Sequence, residues 1–300
     1  MPRLFNKVSG KNKKNPNEAL LQEPHTVNDN YPNLTPIQYV VGSGQSVGMQ
    51  RDHNEDALFA LTSVLSDGKS EELFGLFVIA DGMGGHRNGE VASSVSVRVV
   101  VKYVLDQLYK VLLDPRHPAP AVGIQEILTG AVNEAQKAVL QHAPGGGTTL
   151  TIALLLGEQL TISHVGDSRA YFVLPDGSLQ QITRDHSLVQ RLVDLKEISE
   201  EEANTHPQKN VLLKAVGQTE PFNSDTKTLQ VPRDWRLMLC SDGLWGVVPA
   251  EGMLSIFQKN KDPILVCKLL VDEANRAGGP DNISVIVAGI AGSTSESGKP

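Results

Sequence analysis

The amino-acid sequence predicts an α+β protein in which helices cover β-sheet. Two short apolar runs, residues 76–80 and 237–240, have the composition of buried strands, and an Asp-Gly pair closely follows each run. Two longer segments, about 90–113 and 123–142, carry apolar residues at helical spacing and follow the first strand in succession. Successive helices after a sheet indicate a helical layer that packs on it.

The composition is that of an ordinary soluble globular protein, with 40% hydrophobic and 20% charged residues. A formal net charge of −7 argues against a general nucleic-acid binder. No apolar run approaches the roughly 20 residues that span a bilayer, and the N-terminus lacks the apolar core of a signal peptide. We therefore expect a cytoplasmic protein without a transmembrane segment. Cys240 and Cys267 lie in apolar runs, so we expect reduced core thiols.

Three regions of the chain differ in composition. Residues 1–37 are rich in Lys, Asn, Pro and Gln and contain no acidic residue before Glu18, which predicts a disordered basic N-terminal extension. Its binding to an acidic partner or a membrane surface is a weaker alternative. Residues 38–290 are predicted to form the folded domain, and residues 291–300 a disordered polar tail.

The first half of the domain is predicted to contain strands at 38–41, 56–61 and 76–80, and helices at about 90–113 and 123–142. Turn residues at 66–70 predict a hairpin into the third strand. Asp114-Pro115 is expected to end the first helix. The predicted buried face of that helix carries Val91, Val95, Val99, Lys102 and Leu105.

The second half is predicted to contain strands at 150–156, 160–165, 170–174, 237–240 and 281–287, a helix at 249–258 and a last helix between Asp262-Pro263 and Gly278. Residues 184–216 change character and are predicted to form an irregular insert of two short helices, a candidate flap at the edge of a cleft. Ser199 and Glu202 have the spacing of a capping box at the start of the second short helix.

Asp81-Gly82 permits two interpretations. An Asp-Gly pair often makes only a tight turn, as we predict for the hairpin at Asp176-Gly177. Asp81-Gly82 is instead followed by a glycine-rich loop and a helix, which is typical of a strand that delivers a carboxylate to a site. Asp242-Gly243 repeats this pattern. The two carboxylates are therefore predicted to share one site.

Four aspartates are predicted at strand ends or junctions, namely Asp56, Asp81, Asp242 and Asp281, and Glu55 precedes the first of them. Clustering these carboxylates without cations would cost several kcal/mol through repulsion and desolvation. Oxygen ligands without a Cys or His pair favour Mg²⁺ or Mn²⁺ over Zn²⁺. Two such ions about 4 Å apart can share a bridging hydroxide and stabilise an in-line displacement at phosphorus.

Two basic residues near these carboxylates have open roles. Arg51 is either a fork for two phosphate oxygens or the partner of Asp52 or Glu55 in a salt bridge. Asp167 and Arg169 are either catalytic or paired with each other at a bend, and we favour the pair.

Gly147-Thr148-Thr149 leads into a β-branched strand rather than a helix, which argues against a phosphate-binding P-loop.

Six motifs together resemble the metal-dependent protein phosphatases of the protein phosphatase 2C type, in particular bacterial members. They occur in family order over about residues 38–290, whereas a single motif would be weak. The motifs are Arg51-Asp52-His53-Asn54-Glu55-Asp56, Asp81-Gly82-Met83-Gly84-Gly85, Gly147-Thr148-Thr149, Gly166-Asp167-Ser168-Arg169, Ser241-Asp242-Gly243 and Asp281-Asn282.

The resemblance implies a four-layer αββα sandwich of two antiparallel sheets flanked by helix pairs. It implies Mg²⁺- or Mn²⁺-dependent hydrolysis of phosphoserine and phosphothreonine on proteins by a metal-activated water at a binuclear centre, opposing a serine/threonine kinase. The implied metal ligands are Asp81 as the bridge, Asp242 and Asp281 on the first ion, the Gly82 carbonyl with Glu55 on the second ion, and Asp56 through a water. Arg51 would bind phosphate, and residues 184–216 would be the flap.

This chain departs from the family pattern at two places. Met83 stands where some eukaryotic relatives have a His that is proposed as general acid, so protonation of the leaving group falls to water, His53 or His86. No carboxylate precedes Gly147, where many bacterial relatives have an Asp that helps to hold a third metal. The resemblance therefore implies two ions and makes a third doubtful.

Two other functions compete with a protein phosphatase. A non-catalytic phosphoprotein-binding module would lack metal carboxylates, and none of the central four is missing. An enzyme that acts on a phosphorylated small molecule would share every metal residue. We expect a monomer that acts on phosphoproteins, a bacterial-type kinase among them, whereas the sequence leaves the physiological substrate and the preferred metal open.

Overall fold

The computed structural model describes residues 38–66, 71–84, 87–113, 122–218 and 222–291, all within the unit Pro36–Pro300. The extension predicted at 1–37 and tail residues 292–300 lie outside the described residues, as do Asp114-Pro115 and His86. Ala291, which we placed in the tail, is the last residue of a strand. Among the described residues, the helices are all too short or too polar to cross a membrane.

The described strands, in chain order, are β1 (Gln38–Ser46), β2 (Ala57–Ser66), β3 (Glu71–Ala80), β4 (Gly82–Met83), β5 (Gly147–Thr148), β6 (Leu150–Leu156), β7 (Gln159–Val165), β8 (Arg169–Val173), β9 (Leu179–Gln181), β10 (Asp225–Gln230), β11 (Arg236–Cys240) and β12 (Ile283–Ala291). Each strand predicted from the sequence is present, and most extend further than predicted. β2 and β3 pair antiparallel with Ser66 opposite Glu71, in agreement with the predicted hairpin, whose turn residues 67–70 lie outside the described residues.

The described helices are α1 (Arg87–Val104), which continues through a π-helical turn (Leu105–Tyr109) into α2 (Lys110–Leu113), then α3 (Ile124–His142), α4 (Leu188–Asp194), α5 (Glu200–Thr205), α6 (Asp242–Trp245), α7 (Ala250–Lys259) and α8 (Pro263–Arg276). Two predicted helix starts are confirmed by their caps. Ser199 and Glu202 form the capping box of α5, and Asp262 accepts the Ile264 N–H at the start of α8.

Two antiparallel sheets form the centre of the domain. Sheet I has the strand order β10-β7-β6-β3-β2, and sheet II has the order β1-β12-β11-β8-β9. The short strands β4 and β5 pair with each other beyond the end of β3. Because β3 and β11 lie inside their sheets, the residues that follow them, Asp81 and Asp242, leave the sheets from central rather than edge positions.

The buried apolar residues divide into three clusters that separate four layers. One cluster lies between sheet I and helices α1 and α3, one lies between the two sheets, and one lies between sheet II and helices α7 and α8. Along β3, Leu76 and Val78 belong to the first cluster, whereas Phe77 and Ile79 belong to the second. Both faces of β3 are therefore buried, which explains its continuous apolar run. The predicted four-layer αββα sandwich is confirmed.

The predicted face of α1 coincides only in part with its buried face, since Val99 packs against the first cluster but two other predicted residues do not. Val91 is 36% exposed and Lys102 is exposed, whereas Ala92, Val97 and Val100 are buried. Valine occurs on every side of this helix, so apolar spacing alone could not determine its rotation. A polar contact distinguishes the buried side, because the Ser93 hydroxyl donates to the Glu55 carbonyl at 2.5 Å.

Replacing Phe77 with Ala should lower the free energy of unfolding by about 3–5 kcal/mol, because the substitution leaves a cavity between the two sheets. Leu65→Ala is a control in the same sheet, since Leu65 is 47% exposed and should cost less than about 1 kcal/mol. Urea denaturation of both variants measures the difference. Equal losses would contradict the assignment of β3 as a strand buried on both faces.

Candidate metal centre

The end of β3 is held by a threonine pair. The Asp81 N–H donates to Thr149 Oγ1 at 2.9 Å. The Asp81 carbonyl accepts the Thr148 hydroxyl at 2.9 Å and the Thr149 N–H at 2.8 Å. Three hydrogen bonds from two adjacent residues fix the backbone that carries the carboxyl. Gly147-Thr148-Thr149 leads into β6 and not into a helix, so it anchors Asp81, and the argument against a P-loop is confirmed.

Gly82 and Gly89 allow α1 to approach the loop that carries Glu55. A Cβ atom on Gly82 would lie 2.3 Å from the Gly89 carbonyl oxygen and 2.5 Å from the Glu55 carbonyl oxygen. A Cβ atom on Gly89 would lie 3.0 Å from Glu55 Oε1. No side chain fits at Gly82. Sequence reasoning missed Gly89, although a glycine in the first turn of a long helix costs about 1 kcal/mol relative to Ala and suggests a close contact.

Asn282 holds the loop that contains Arg51 and Glu55. Its amide Nδ2 donates to the carbonyls of Val47 and His53, both at 2.9 Å, and its Oδ1 accepts the Glu55 N–H at 2.7 Å. The side chain is 4% exposed. One buried amide thus satisfies three backbone groups of a loop more than 200 residues away in sequence. We had noted Asn282 only as the neighbour of Asp281.

Ser241 links Asp56 to the start of α6, where Asp242 lies. The Ser241 hydroxyl donates to Asp56 Oδ2 at 2.9 Å and accepts the Ser284 N–H at 2.9 Å. Asp242 follows Ser241 as the first residue of α6. Sequence reasoning gave Ser241 no role, because only the folded chain brings it beside Asp56.

Arg51 lies at the site but not with the partner that we considered. Its Nη2 is 2.6 Å from Asp281 Oδ2, whereas we had named Asp52 and Glu55 as the alternative partners. The Arg51 side chain is 49% exposed and that of Asp281 is 34% exposed. The guanidinium is therefore at the solvent side of the carboxylates. His53 is nearby, with Nε2 at 3.4 Å from Glu55 Oε1.

The favoured pair of Asp167 and Arg169 was wrong. The Arg169 guanidinium donates hydrogen bonds to Asp185 instead. Its Nη2 lies 2.7 Å from Asp185 Oδ2, and its Nε lies 3.0 Å from both carboxyl oxygens. Asp167 is buried, and its charge acts on Asp81. The sequence spacing of two residues made the direct pair attractive, but alternate residues of an extended chain need not turn toward each other. Asp167 therefore joins the carboxylate cluster, which consists of Asp56, Asp81, Asp167, Asp242 and Asp281.

Burial and mutual repulsion raise the pKa values of four of these carboxyls in the metal-free protein, namely those of Asp56, Asp81, Asp167 and Asp242. Burial is the larger cause for each of the four. It raises the pKa of Asp56 to about 7, aided by the charges of Asp242 and Asp281, and against hydrogen bonds from Ser284 and Ser241. Burial together with Asp281 raises the pKa of Asp242 to about 6. The pKa of Asp167 rises to about 8, and that of Asp81 lies well above its usual value. The buried carboxyls of the cluster therefore favour a cation, whereas the more exposed Asp281 already pairs with Arg51.

The donor atoms fit a hard divalent cation such as Mg²⁺ or Mn²⁺. Within the described residues, the buried oxygens Glu55 Oε1, Asp56 Oδ1 and Asp242 Oδ1 have no hydrogen-bond partner. In the metal-free arrangement, however, no group of three or more Asp, Glu, His or Cys side chains among the described residues has the geometry of a metal site. Asp242 hydrogen-bonds the Asp81 carboxyl, and Arg51 holds Asp281. The proton between Asp81 and Asp242 and the ion pair between Arg51 and Asp281 both offset repulsion among the carboxylates. Cation binding would therefore replace them.

The insert at residues 184–216 is tied to the site at both of its ends. The His186 N–H donates to the Gly166 carbonyl at 2.7 Å, next to Asp167. Val216 and Thr148 exchange two backbone hydrogen bonds of 2.9 Å, next to the residues that hold Asp81. A cavity of about 460 Å³ lies beside this insert and includes Arg184 and Lys196, but none of the predicted site residues lines it. The insert thus borders the carboxylate cluster.

Replacing Asn282 with Ala should destabilise the protein by about 2–4 kcal/mol, because two carbonyls and the Glu55 N–H lose their partner. Asn260→Ala is a matched control, since that amide makes one hydrogen bond at the end of α7 and should cost about 1 kcal/mol. Urea denaturation measures both. A loss for Asn282→Ala no greater than for Asn260→Ala would contradict the anchoring role.

The Tm of metal-free protein should fall by about 5 °C between pH 6.5 and 8.5. In this range the folded state still holds protons on Asp56 and Asp167, whose pKa values are about 7 and about 8, whereas an unfolded Asp has lost its proton near pH 4. Raising the pH therefore favours the unfolded chain. Thermal melts in EDTA test the fall, and melts with Mn²⁺ should show a smaller one. A metal-free Tm that is constant or rises with pH would contradict it.

The chain is similar to phosphatases of known family. Residues 44–263 match the family model described as protein phosphatase 2C. The serine/threonine phosphatase Stp of Listeria welshimeri is 35% identical over 246 residues, which cover 80% of this chain and 91% of that protein.

Solved structures agree with this similarity. The crystal structure of the Mycobacterium tuberculosis serine/threonine phosphatase PstP/Ppp matches with a TM-score of 0.70 and 32% identity, and covers 84% of this chain and 98% of that one. The catalytic domain of PstP in complex with two manganese ions matches with a TM-score of 0.68 and 30% identity, over 86% and 100% of the two chains. The chain therefore belongs to the protein phosphatase 2C family of serine/threonine phosphatases, as its motifs predicted.

Proposed function

We propose that this enzyme hydrolyses phosphoserine and phosphothreonine on proteins with the help of two Mn²⁺ or Mg²⁺ ions. The observation that carries the proposal is the convergence of buried carboxyls at the ends of both sheets, where Glu55 Oε1, Asp56 Oδ1 and Asp242 Oδ1 have no hydrogen-bond partner among the described residues. Two manganese ions in the similar PstP structure support the number and kind of ions. No carboxylate precedes Gly147 in this chain, so we propose two ions and no tightly bound third ion.

We take the ligand assignment from the family resemblance. Asp81 would be shared by the two ions, Asp242 and Asp281 would complete the site of the first, and the Gly82 carbonyl and Glu55 would serve the second. The anchors described above support this assignment, because Thr149 and Asn282 fix the backbone on either side of the cluster. When bound, the two ions polarise the phosphoryl oxygens and lower the pKa of water at the site. Asp56 would hold this water by accepting a hydrogen bond from it.

Arg51 is the proposed phosphate-binding residue. Its guanidinium lies at the solvent side of the cluster and is long enough to reach a phosphoryl group there. Its present partner is Asp281, a proposed ligand, so a cation on Asp281 competes with the ion pair and frees the fork of Arg51 for two phosphate oxygens. Cation binding would thus precede tight phosphate binding.

Few described side chains near the cluster could donate a proton to the leaving group. Met83 carries no exchangeable proton, and it packs beside Gly147. His53 is 47% exposed and lies near Glu55. We propose that water supplies this proton, with His53 as the nearest described side chain able to assist.

The expected partners are phosphoproteins, and the enzyme is proposed to oppose a serine/threonine kinase as a monomer. The insert at 184–216 would act as a flap that helps to admit the substrate segment, since both of its ends are bonded next to the cluster. Cys240 and Cys267 are free and buried, which supports a reducing compartment and hence a cytoplasmic enzyme.

A panel of phosphoserine, phosphothreonine and phosphotyrosine peptides, assayed separately with Mg²⁺ and Mn²⁺, tests the function. Phosphate should be released from the first two classes and not in EDTA. Asp81→Ala and Asp242→Ala should each lower kcat/KM on the order of 100-fold or more, because loss of a ligand should cost at least as much as loss of a group that supports one.

Asp176→Ala is the matched control for these variants. Asp176 also precedes a glycine after a strand, but its carboxyl only accepts hydrogen bonds from Ser178 in an exposed hairpin. Its activity should stay within about twofold of the unsubstituted enzyme. Turnover that persists in EDTA would overturn metal dependence. A preference for phosphorylated small molecules over every peptide would overturn the substrate class.

A further inference from the structure

A buried guanidinium lies against an indole ring beside the carboxylate cluster, and the mechanism proposed above does not use it. The Arg169 guanidinium carbon is 3.5 Å from the centre of the Trp245 ring. Asp185 receives three hydrogen bonds from Arg169, and the Tyr171 hydroxyl accepts a fourth at 3.1 Å. Arg169 is thus held on one face by the ring and at its edge by acceptors, which leaves it a single orientation.

Both members of this stack are directly linked to cluster aspartates. Trp245 is the last residue of α6, the short helix that begins with Asp242. Arg169 lies two residues after Asp167, and the Trp245 indole N–H donates to the Asp167 carbonyl at 3.1 Å. The stack therefore ties the turn that carries Asp167 to the helix that carries Asp242. Strand pairing places Arg169 opposite Cys240, and the stack adds a side-chain link between the two segments beyond the ends of these strands.

Asp185 also keeps Arg169 away from Asp167. The side chain of Asp185 is 4% exposed and that of Arg169 is 20% exposed, so the fork between them is well shielded from water. A buried guanidinium without this acceptor would need another carboxylate, and Asp167 is the nearby alternative. Because Asp185 receives these hydrogen bonds, the Asp167 carboxyl stays available to a cation.

We propose that Arg169, Trp245 and Asp185 are positioning residues that hold Asp167 beside Asp242, so that both carboxylates act on cations at the same end of the cluster. None of the three contacts a cation or the substrate in this role. They add side-chain contacts to the pairing of β8 with β11, in which Arg169 lies opposite Cys240, and so restrain the spacing of the two carboxyls beyond the strand ends. The inference rests on the metal dependence proposed above.

Calorimetric titration of the EDTA-stripped full chain with Mn²⁺ tests the proposal without an activity assay. Arg169→Lys keeps the charge but loses the fork and the planar stack, and should weaken Mn²⁺ binding by about 10- to 100-fold. Trp245→Phe keeps a ring for the stack but loses the hydrogen bond to Asp167, and should weaken binding by a smaller factor. The Tm of each variant in EDTA reports the purely structural cost.

Arg236→Lys is the matched control. Arg236 lies 4.9 Å over the Phe257 ring and donates to two backbone carbonyls at the opposite end of β11 from Asp242. Its replacement should lower the Tm in EDTA as the Arg169 change does, but leave Mn²⁺ affinity unchanged. An affinity loss in Arg236→Lys as large as in Arg169→Lys would overturn the proposal.

A double-mutant cycle distinguishes an effect of Arg169 that is exerted through Asp167 from a general effect of Arg169 on Mn²⁺ binding. Adding Arg169→Lys to Asp167→Asn should cause little further loss of Mn²⁺ affinity, because the group that Arg169 positions no longer carries charge. If Arg169→Lys lowered Mn²⁺ affinity by the same factor with Asp167 as with Asn at that position, the proposal would be overturned. Unchanged Mn²⁺ binding in both Arg169→Lys and Trp245→Phe would also overturn it. Failure of the unsubstituted protein to bind Mn²⁺ would instead refute the metal dependence itself, and this inference with it.

Discussion

Repulsion among carboxylates at one end of a two-sheet sandwich is the constraint on which the rest of this structure depends. Asp81 comes from sheet I, while Asp242 and Asp281 come from sheet II. The sheets must pack closely for these groups to meet, and burial then raises the pKa values of Asp81 and Asp242. Apolar contacts between the sheets and beneath both helical layers must outweigh that cost, which explains why both faces of strands such as β3 are buried.

The cluster is held mainly by contacts with the backbone that carries it. Thr148 and Thr149 bind the Asp81 peptide groups, and Asn282 binds the loop before Asp56. Gly82 and Gly89 remove the side chains that would keep α1 away from Glu55. Such contacts restrict the positions of the carboxyls without neutralising them. A site that must bind cations needs this combination, because any fixed positive partner would compete with the ion.

The pairing of the two arginines illustrates the same principle. Arg169 is bound by Asp185, outside the cluster, and is stacked on Trp245, so its charge is balanced elsewhere. Arg51 pairs with Asp281 at the exposed side, where the ion pair is weak enough to exchange. Both partners differ from those that sequence spacing suggested. Neighbours along the chain compete with groups that only the fold brings close, and burial decides the outcome.

The sequence by itself determined the strands that end in Asp-Gly, the helical layer, the capped helices and the carboxylates expected to share a site. These depend on local patterns, namely apolar period, turn residues and caps, which act over a few residues. The rotation of α1, the partners of Arg51 and Arg169, and the roles of Asn282, Ser241 and Gly89 were decided only by tertiary structure. Each depends on a contact between residues far apart in the chain, and the energy of such a contact has no local signature.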